Sequence, residues 1–258
     1  MADWTSLAQE LDTWARSGQT ATFWWRDDDA GADAAKLKEL LRLRQGLGVP
    51  LAMAVVPDWL TPDVTALIAG AGDIHVLQHG VAHADHSGGR GRRMELSAGA
   101  LPSGLRQALI RSRNVLRTSF PSSLIEVMVP PWNRIDEAVL SILAGSGFLG
   151  LSTLGPRCGA RMHGLVVNNV HIDIIDWKAG RRFAGDEACL EASVRHLENR
   201  RRGVVDPSEA TGLMTHHLVH DAACHAFIDR FVHTVARHPA GRWLSAGMVF
   251  GTARRADP

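Results

Sequence analysis

Short apolar runs of strand length alternate with amphipathic helical stretches along this 258-residue chain from one end to the other. Strands separated by helices pair in parallel through right-handed crossovers, so the alternation confines the fold to the α/β class. Periodicity predicts a first helix over 3–17, with further helices over 35–45, 62–70, 103–117, 135–145, 186–201 and 221–237. It predicts strands over 20–27, 50–56, 74–77, 124–129, 148–152, 165–175, 212–215 and 243–250. About seven strand–helix units suit an irregular (β/α) barrel of parallel strands, closed or nearly closed, better than an open doubly wound sheet.

A hydrophobic content of 45% over this length can fill one large core. The expected organisation is therefore a single domain, with an N-terminal helix at 1–19 packed on a barrel at 20–258. No Gly-x-Gly-x-x-Gly or phosphate-loop pattern opens any helix, which argues against a nucleotide fold. Two connections exceed the usual length. Residues 84–102 are Gly-rich and carry Arg90, Arg92 and Arg93, and residues 153–163 form a shorter loop; such lengths belong to functional lids or disordered segments, and the basic stretch reads as a solvated loop, with closure over an anionic substrate group as the alternative.

The charge balance, 28 basic against 27 acidic side chains, leaves no global field to draw the chain to nucleic acid or to an anionic membrane. The first twenty residues contain Asp3, Glu10 and Asp12 and lack the basic start and apolar segment of a secretory signal, so a cytoplasmic location is expected. Cys158, Cys189 and Cys224 are far apart and outside any CxxC spacing, which disfavours a disulfide framework or a thiolate metal site.

The chemistry must then come from a local site, and polar clusters at strand ends mark one. A barrel collects its catalytic groups at the C-terminal ends of its strands. His79 and His83 follow the apolar run IHVLQ, with Gly80 between them permitting a tight turn; on a helical turn residues four apart share one face, so both imidazoles reach a single cation. Asp27, Asp28 and Asp29 end the run TFWWR, and adjacent carboxylates at a buried strand end call for a metal or a cationic partner. One of these carboxylates with the two imidazoles makes a three-ligand site with open positions, as in catalytic zinc centres, and a second carboxylate is available as a general base. Pro130-Pro131-Trp132, Asp173 with Asp176-Trp177, and His216-His217 complete the set. Each has a plainer reading as a stiff turn, a capped aromatic or a wall residue, and it is their order along the chain that argues for a site.

That order resembles the polysaccharide deacetylase family, carbohydrate esterase family four, over roughly residues 22–221. The family's Asp-Asp pair, His-x-x-x-His pair, Arg-Pro-Pro-aromatic, Asp-x-x-Asp-Trp and late strand-end histidine match Asp28-Asp29, His79 to His83, Val129-Pro130-Pro131-Trp132, Asp173 to Trp177, and Leu213 to His216. The resemblance implies that Asp28 is the base, that Asp29, His79 and His83 hold one divalent metal, expected to be Zn2+, and that His216 is the general acid. It implies an oxyanion contact from the Trp132 N–H and substrate contacts from Pro131, Asn133, Asp176, Trp177 and Met214. Val129 stands where the family has an arginine that orients the base, so either Arg26 or Arg134 replaces it or the base is tuned differently; Asn133 replaces a small residue.

The expected activity is metal-dependent removal of N-acetyl or other N-acyl groups from a sugar or sugar-like amide. Two alternatives stay open: hydrolysis of another C–N bond, in a small cyclic amide or ureide, and a catalytically silent carbohydrate-binding protein. The expected partner is a small or oligomeric N-acetylated carbohydrate, with no nucleic acid and no membrane.

Overall fold

The computed structural model describes residues 1–89, 91–97 and 104–252. Helix α1 (Trp4–Arg16) opens with a capping box in which Asp3 accepts from the Ser6 amide at 2.8 Å. Its buried face of Leu7, Leu11 and Trp14 rests on the rest of the chain. The remaining elements follow in the predicted alternation: β1 (Ala21–Ala30), α2 (Ala34–Leu47), β2 (Leu51–Val55), α3 (Pro62–Ala69), β3 (Ile74–His79), α4 (Leu105–Ser119), β4 (Leu124–Val129), α5 (Glu137–Gly145) and β5 (Gly150–Leu151). Then come short strands β6 (Arg161–Met162), β7 (Leu165–Val167), β8 (Ile172–Asp173), β9 (Ile175–Asp176) and β10 (Arg182–Phe183), followed by α6 (Asp186–Arg201), β11 (Thr211–Thr215), α7 (Ala222–Arg237), β12 (Gly241–Trp243) and α8 (Ala246–Val249).

The sheet runs β6-β7-β5-β4-β3-β2-β1-β11-β8, parallel throughout except between β6 and β7. Strands β2 and β11 are buried at every position, as a parallel sheet covered on both faces requires. Alternation sorts their side chains into two cores. Trp24, Ala52, Ala54, Leu77, Val127, Val129 and Met214 form the inner one, plugged at its lower end by Phe250, whose ring meets Trp24 edge-on at 5.7 Å. Phe23, Trp25, Met53, Val55 and Val76 face the helices.

The expected strand over 165–175 is three short pieces, and the break closes the barrel. β7 pairs with β5, β8 pairs with β11, and residues 168–171 carry the chain from one edge of the sheet to the other. The bend is held by Asn168, which exchanges hydrogen bonds with the backbone of Ala210, and by Asn169, which accepts from Thr153 N and donates its own amide to Glu209. Such side-chain partners replace the ladder bonds that a continuous strand would have made.

The expected strand over 243–250 is also corrected. Only β12 is strand, and Ser245 then caps helix α8 by accepting from Met248 N at 3.3 Å. A short apolar run such as AGMVF has no periodicity that separates strand from helix.

Candidate active site

The first strand decides the fate of the aspartate triplet. β1 continues through Ala30, past the expected end at Asp27, and its register with β2 shifts between Asp27 and Ala30. Regular alternation would send Asp27 and Asp29 to one side and Asp28 to the other. Arg26 and Asp28 do share the inner side with Trp24, while Asp27 faces outward. Asp29 has a φ of 66°, and this irregularity turns its carboxylate to His79 and His83. Bulges re-aim single side chains beside active sites in this manner.

Three donors converge there. Asp29 Oδ1 lies 3.1 Å from His79 Nε2 and 3.3 Å from His83 Nε2. His79 is the last residue of β3 and its Nδ1 donates to the Val129 carbonyl at 2.8 Å, which fixes the proton on Nδ1. Nε2 of the neutral ring is then a bare lone pair facing a carboxylate, an arrangement that needs a second proton or a cation between them. Burial works to raise the Asp29 carboxyl, yet hydrogen bonds from His79 and His83 hold it far below the ordinary carboxylate range. One carboxylate and two imidazole nitrogens are the donor set of a divalent metal such as zinc, so these residues fit one.

His83 reaches this point by a route other than a helical turn. Gly80 has a φ of 59° and His83 one of 55°, and the loop between them wraps the buried Glu95 carboxylate, which accepts from the amides of Val81, Ala82 and Ala84. A Cβ on Gly80 would stand 1.9 Å from Glu95 Oε2 and 2.6 Å from Pro131 Cγ, so glycine is required. Part of the long loop after β3 is therefore a clasp: Leu96 bridges to Ile135, and His86 bonds Met94 and Glu95. Arg92 and Arg93 are exposed in this loop, and Arg90 lies outside the described residues.

Asp28, 1% exposed, is gripped by Arg26 through paired hydrogen bonds of 2.7 and 2.8 Å. Arg26 also donates to Ser152 and to Asn133, each at 2.6 Å, and rests on the Met214 sulfur. Of the two arginines considered for the position left by Val129, Arg26 makes the contact; Arg134 bonds the Arg93 carbonyl. Met214 and Asn133 thus meet Arg26, and Met214, 1% exposed, lies beneath the pocket surface.

On the far side, His216 is an inward residue at the end of β11, 4.0 Å from Asp28 through Nε2 and edge-on to Trp177 at 4.6 Å. Trp177 donates to Asp173 at 2.8 Å, and burial raises the Asp173 carboxyl against the opposing charge of His216. His217 points outward. Its Nδ1 meets Asp27 at 2.5 Å, and its amide and Thr215 Oγ1 donate to the same carboxylate. Burial opposes charge on both members of this pair, but their mutual attraction prevails: Asp27 is lowered and His217 raised.

Pro131, Trp132 and Asn133 form one 3-10 turn after β4, with Trp132 and Asn133 both at positive φ. The Trp132 ring lies 4.5 Å from His83. Pro131 packs on the loop at Gly80, whereas Asp176 accepts from the amides of Lys178 and Ala179 and caps a turn. The sequence reading did not single out Trp59, Ser152 or Glu95. Trp59 and Ser152 lie close to strand ends on the catalytic side and could have been flagged for that; Glu95 sits in a long loop with no pattern to betray it.

A second convergent group, His171, His196 and Glu209, does not suit a metal. The two rings are stacked at 3.4 Å with an interplanar angle of 18°, so no point lies in both ring planes at bonding distance. His171 Nδ1 accepts from Gly212 N, which leaves the proton on Nε2, and burial beside Arg200 drives His196 down to about 2.

No protein-family model and no curated protein sequence matches this chain. Solved structures do. A protein of Mycobacterium smegmatis assigned as a polysaccharide deacetylase superposes with a TM-score of 0.64 at 17% identity, covering 91% of this chain and 90% of that one. A family 4 acetyl xylan esterase from Clostridium thermocellum, in complex with a cobalt ion, gives 0.54 at 11% identity over 90% and 91% of the two chains. A peptidoglycan N-acetylglucosamine deacetylase gives 0.54 at 15% identity over 94% and 97%. The sequences have diverged far, and the architecture around the candidate site is the fold of the polysaccharide deacetylases and family 4 carbohydrate esterases.

Proposed function

We propose that this protein is a metal-dependent hydrolase that removes N-acetyl groups from a sugar or sugar-like amide. The observation that carries the reading is the convergence of Asp29, His79 and His83 within 3.3 Å, beside a buried Asp28 that stands 4.0 Å from His216. A divalent cation held by those three residues would polarise the acyl oxygen and lower the pKa of water. Asp28, oriented by the Arg26 fork, takes the proton of the attacking water. The Trp132 N–H stabilises charge on the acyl oxygen, and the rings of Trp132 and Trp177 wall the groove on either side. His216, against Trp177, gives a proton to the departing amine. The products are acetate and a free amine.

The grip of Arg26 on Asp28 bears on the silent-binder alternative, because the base keeps an orienting arginine despite Val129. The two neighbours that act on acetylated sugars, an acetyl xylan esterase and a peptidoglycan N-acetylglucosamine deacetylase, support acetyl removal over ureide chemistry. The test is incubation of the zinc-loaded protein with N-acetylglucosamine oligomers, with acetate and free amine measured together. Equal amounts of both, abolished by a chelator and by His79→Ala, are expected. Tight zinc binding with no acetate from any N-acetyl sugar tried would overturn the reading.

A further inference from the structure

The two imidazoles facing Asp29 are held by different means. His79 ends a strand, is 2% exposed, and has its Nδ1 tied to a backbone carbonyl. His83 lies outside any helix or strand, and its Nδ1 makes no hydrogen bond among the described residues. Glu95 shapes the backbone of its loop but does not touch the ring. What flanks the ring is aromatic: Trp132 at 4.5 Å with an interplanar angle of 61°, and Trp59 at 5.2 Å with 42°.

Trp59 is itself firmly placed. It closes the 3-10 turn Pro57–Trp59 after β2, where Trp59 N donates to Val56 O and Asp58 N donates to Val81 O in the His83 loop, each at 3.1 Å. Thr61 N donates to Gly31 O at 3.0 Å. A Cβ on Gly31, whose φ is 153°, would stand 2.8 Å from Trp59 Cβ and 3.1 Å from Val56 O, so a glycine just past the aspartate triplet makes room for the turn that carries this indole. Three loops, after β1, β2 and β3, are thereby fitted around one ring.

We propose that Trp59 is a positioning residue that sets the ring orientation of His83 and through it the affinity of the site for a divalent metal. This rests on the metal-site reading above. An imidazole ligates only along its lone pair, in the ring plane, so a ring free to rotate must lose that freedom when metal binds. Most ligand histidines are fixed by a hydrogen bond to the second nitrogen. Among the described residues His83 has no such bond, and it is the two indoles that flank its ring.

The test is titration of the metal-free protein with Zn2+ against a chromophoric chelator, for the unmodified chain, Trp59→Ala, Trp59→Leu and Trp59→Phe. Trp59→Ala should weaken Zn2+ binding by about 10- to 100-fold, the usual effect of losing a partner that orients a ligand. Trp59→Phe should recover most of it, and Trp59→Leu, which fills space without a ring face, should fall between. The visible spectrum of the Co2+-loaded Trp59→Ala protein should also shift, since the coordination geometry changes. Unchanged Zn2+ affinity in Trp59→Ala, or in Trp59→Leu if the alanine variant does not fold, overturns the proposal and leaves the metal site standing. Recovery in Trp59→Leu as full as in Trp59→Phe overturns it too, because packing volume and not the aromatic wall would then be the cause. An unmodified protein that binds no Zn2+ would remove the metal-site reading and this proposal together.

Discussion

Asp27, Asp28 and Asp29 are sequence neighbours with three environments, and each substitution should report its own. Asp28→Asn keeps the charge partner Arg26 but removes the proton acceptor, so it should retain metal and lose about 100- to 10,000-fold in kcat, the range for a general base. Asp29→Asn should lose both metal and turnover, because it removes the carboxylate that His79 and His83 face. Asp27→Asn should keep the metal and cost about 3–5 kcal/mol of stability, since it strands a buried His217 without its partner. Metal analysis, kinetics and urea unfolding of the three proteins separate these outcomes; metal lost only in Asp27→Asn would show that the ligand is the first aspartate. Arg26→Lys is a further check on the base. A lysine keeps the charge without the two-pronged fork, so kcat should drop with little change in KM and no change in metal content.

Two elements carry the site, the last turn of β11 and the loop after β3. In β11 the period of two puts Met214 and His216 inside and Thr215 and His217 in the wall, so the histidines next to each other should behave oppositely. His216→Ala should cut kcat far more than it raises KM, with stability near that of the parent. His217→Ala should be the destabilised one, because the buried Asp27 loses its strongest partner. Steady-state kinetics set beside Tm values decide this, and an active His216→Ala with a silent His217→Ala would mean that the roles are reversed. The loop after β3 has its own critical residue. Gly80→Ala would drive a methyl into Glu95 and Pro131 at a left-handed φ, so it should release the Glu95 clasp, displace His83 and lower zinc affinity even where the barrel still folds. Wild-type zinc binding in that variant would mean that the clasp is dispensable.

For the molecule as a whole, buried histidines make stability depend on pH. Burial holds His196 down to about 2 and His220 down to about 4, below the value of 6.5 expected of both once unfolded. The unfolded chain therefore binds more protons than the folded one below 6.5, and stability is lost as pH falls through that window, by about 1.4 kcal/mol per pH unit for each group. The loss from His220 ends near 4 and that from His196 continues to about 2. His217 acts in the other direction: its raised value adds stability that is complete below 6.5 and disappears as pH rises through its folded value. Urea unfolding between pH 4.5 and 6.5 should show stability rising with pH, and His196→Asn should reduce that slope; a flat profile in the parent protein would contradict it. Much of this architecture is legible in the residue order, because strand and helix periods are properties of near neighbours. The alternation of elements, the polar clusters at strand ends and the two-residue spacing of Arg26 and Asp28 are all of this kind. Other features come from contacts between distant segments and leave no local pattern. The irregular turn of Asp29 depends on β2, the wrap of the His83 loop on Glu95, and the seat of the His83 ring on Trp59 and Trp132. The break of residues 165–175 into a closing bend depends on Glu209 and Ala210, and the short run after Trp243 becomes a helix with its Phe250 in the barrel floor. Local periodicity therefore determined which polar clusters fall at strand ends, while the direction in which each side chain points was settled by packing between loops far apart in the chain.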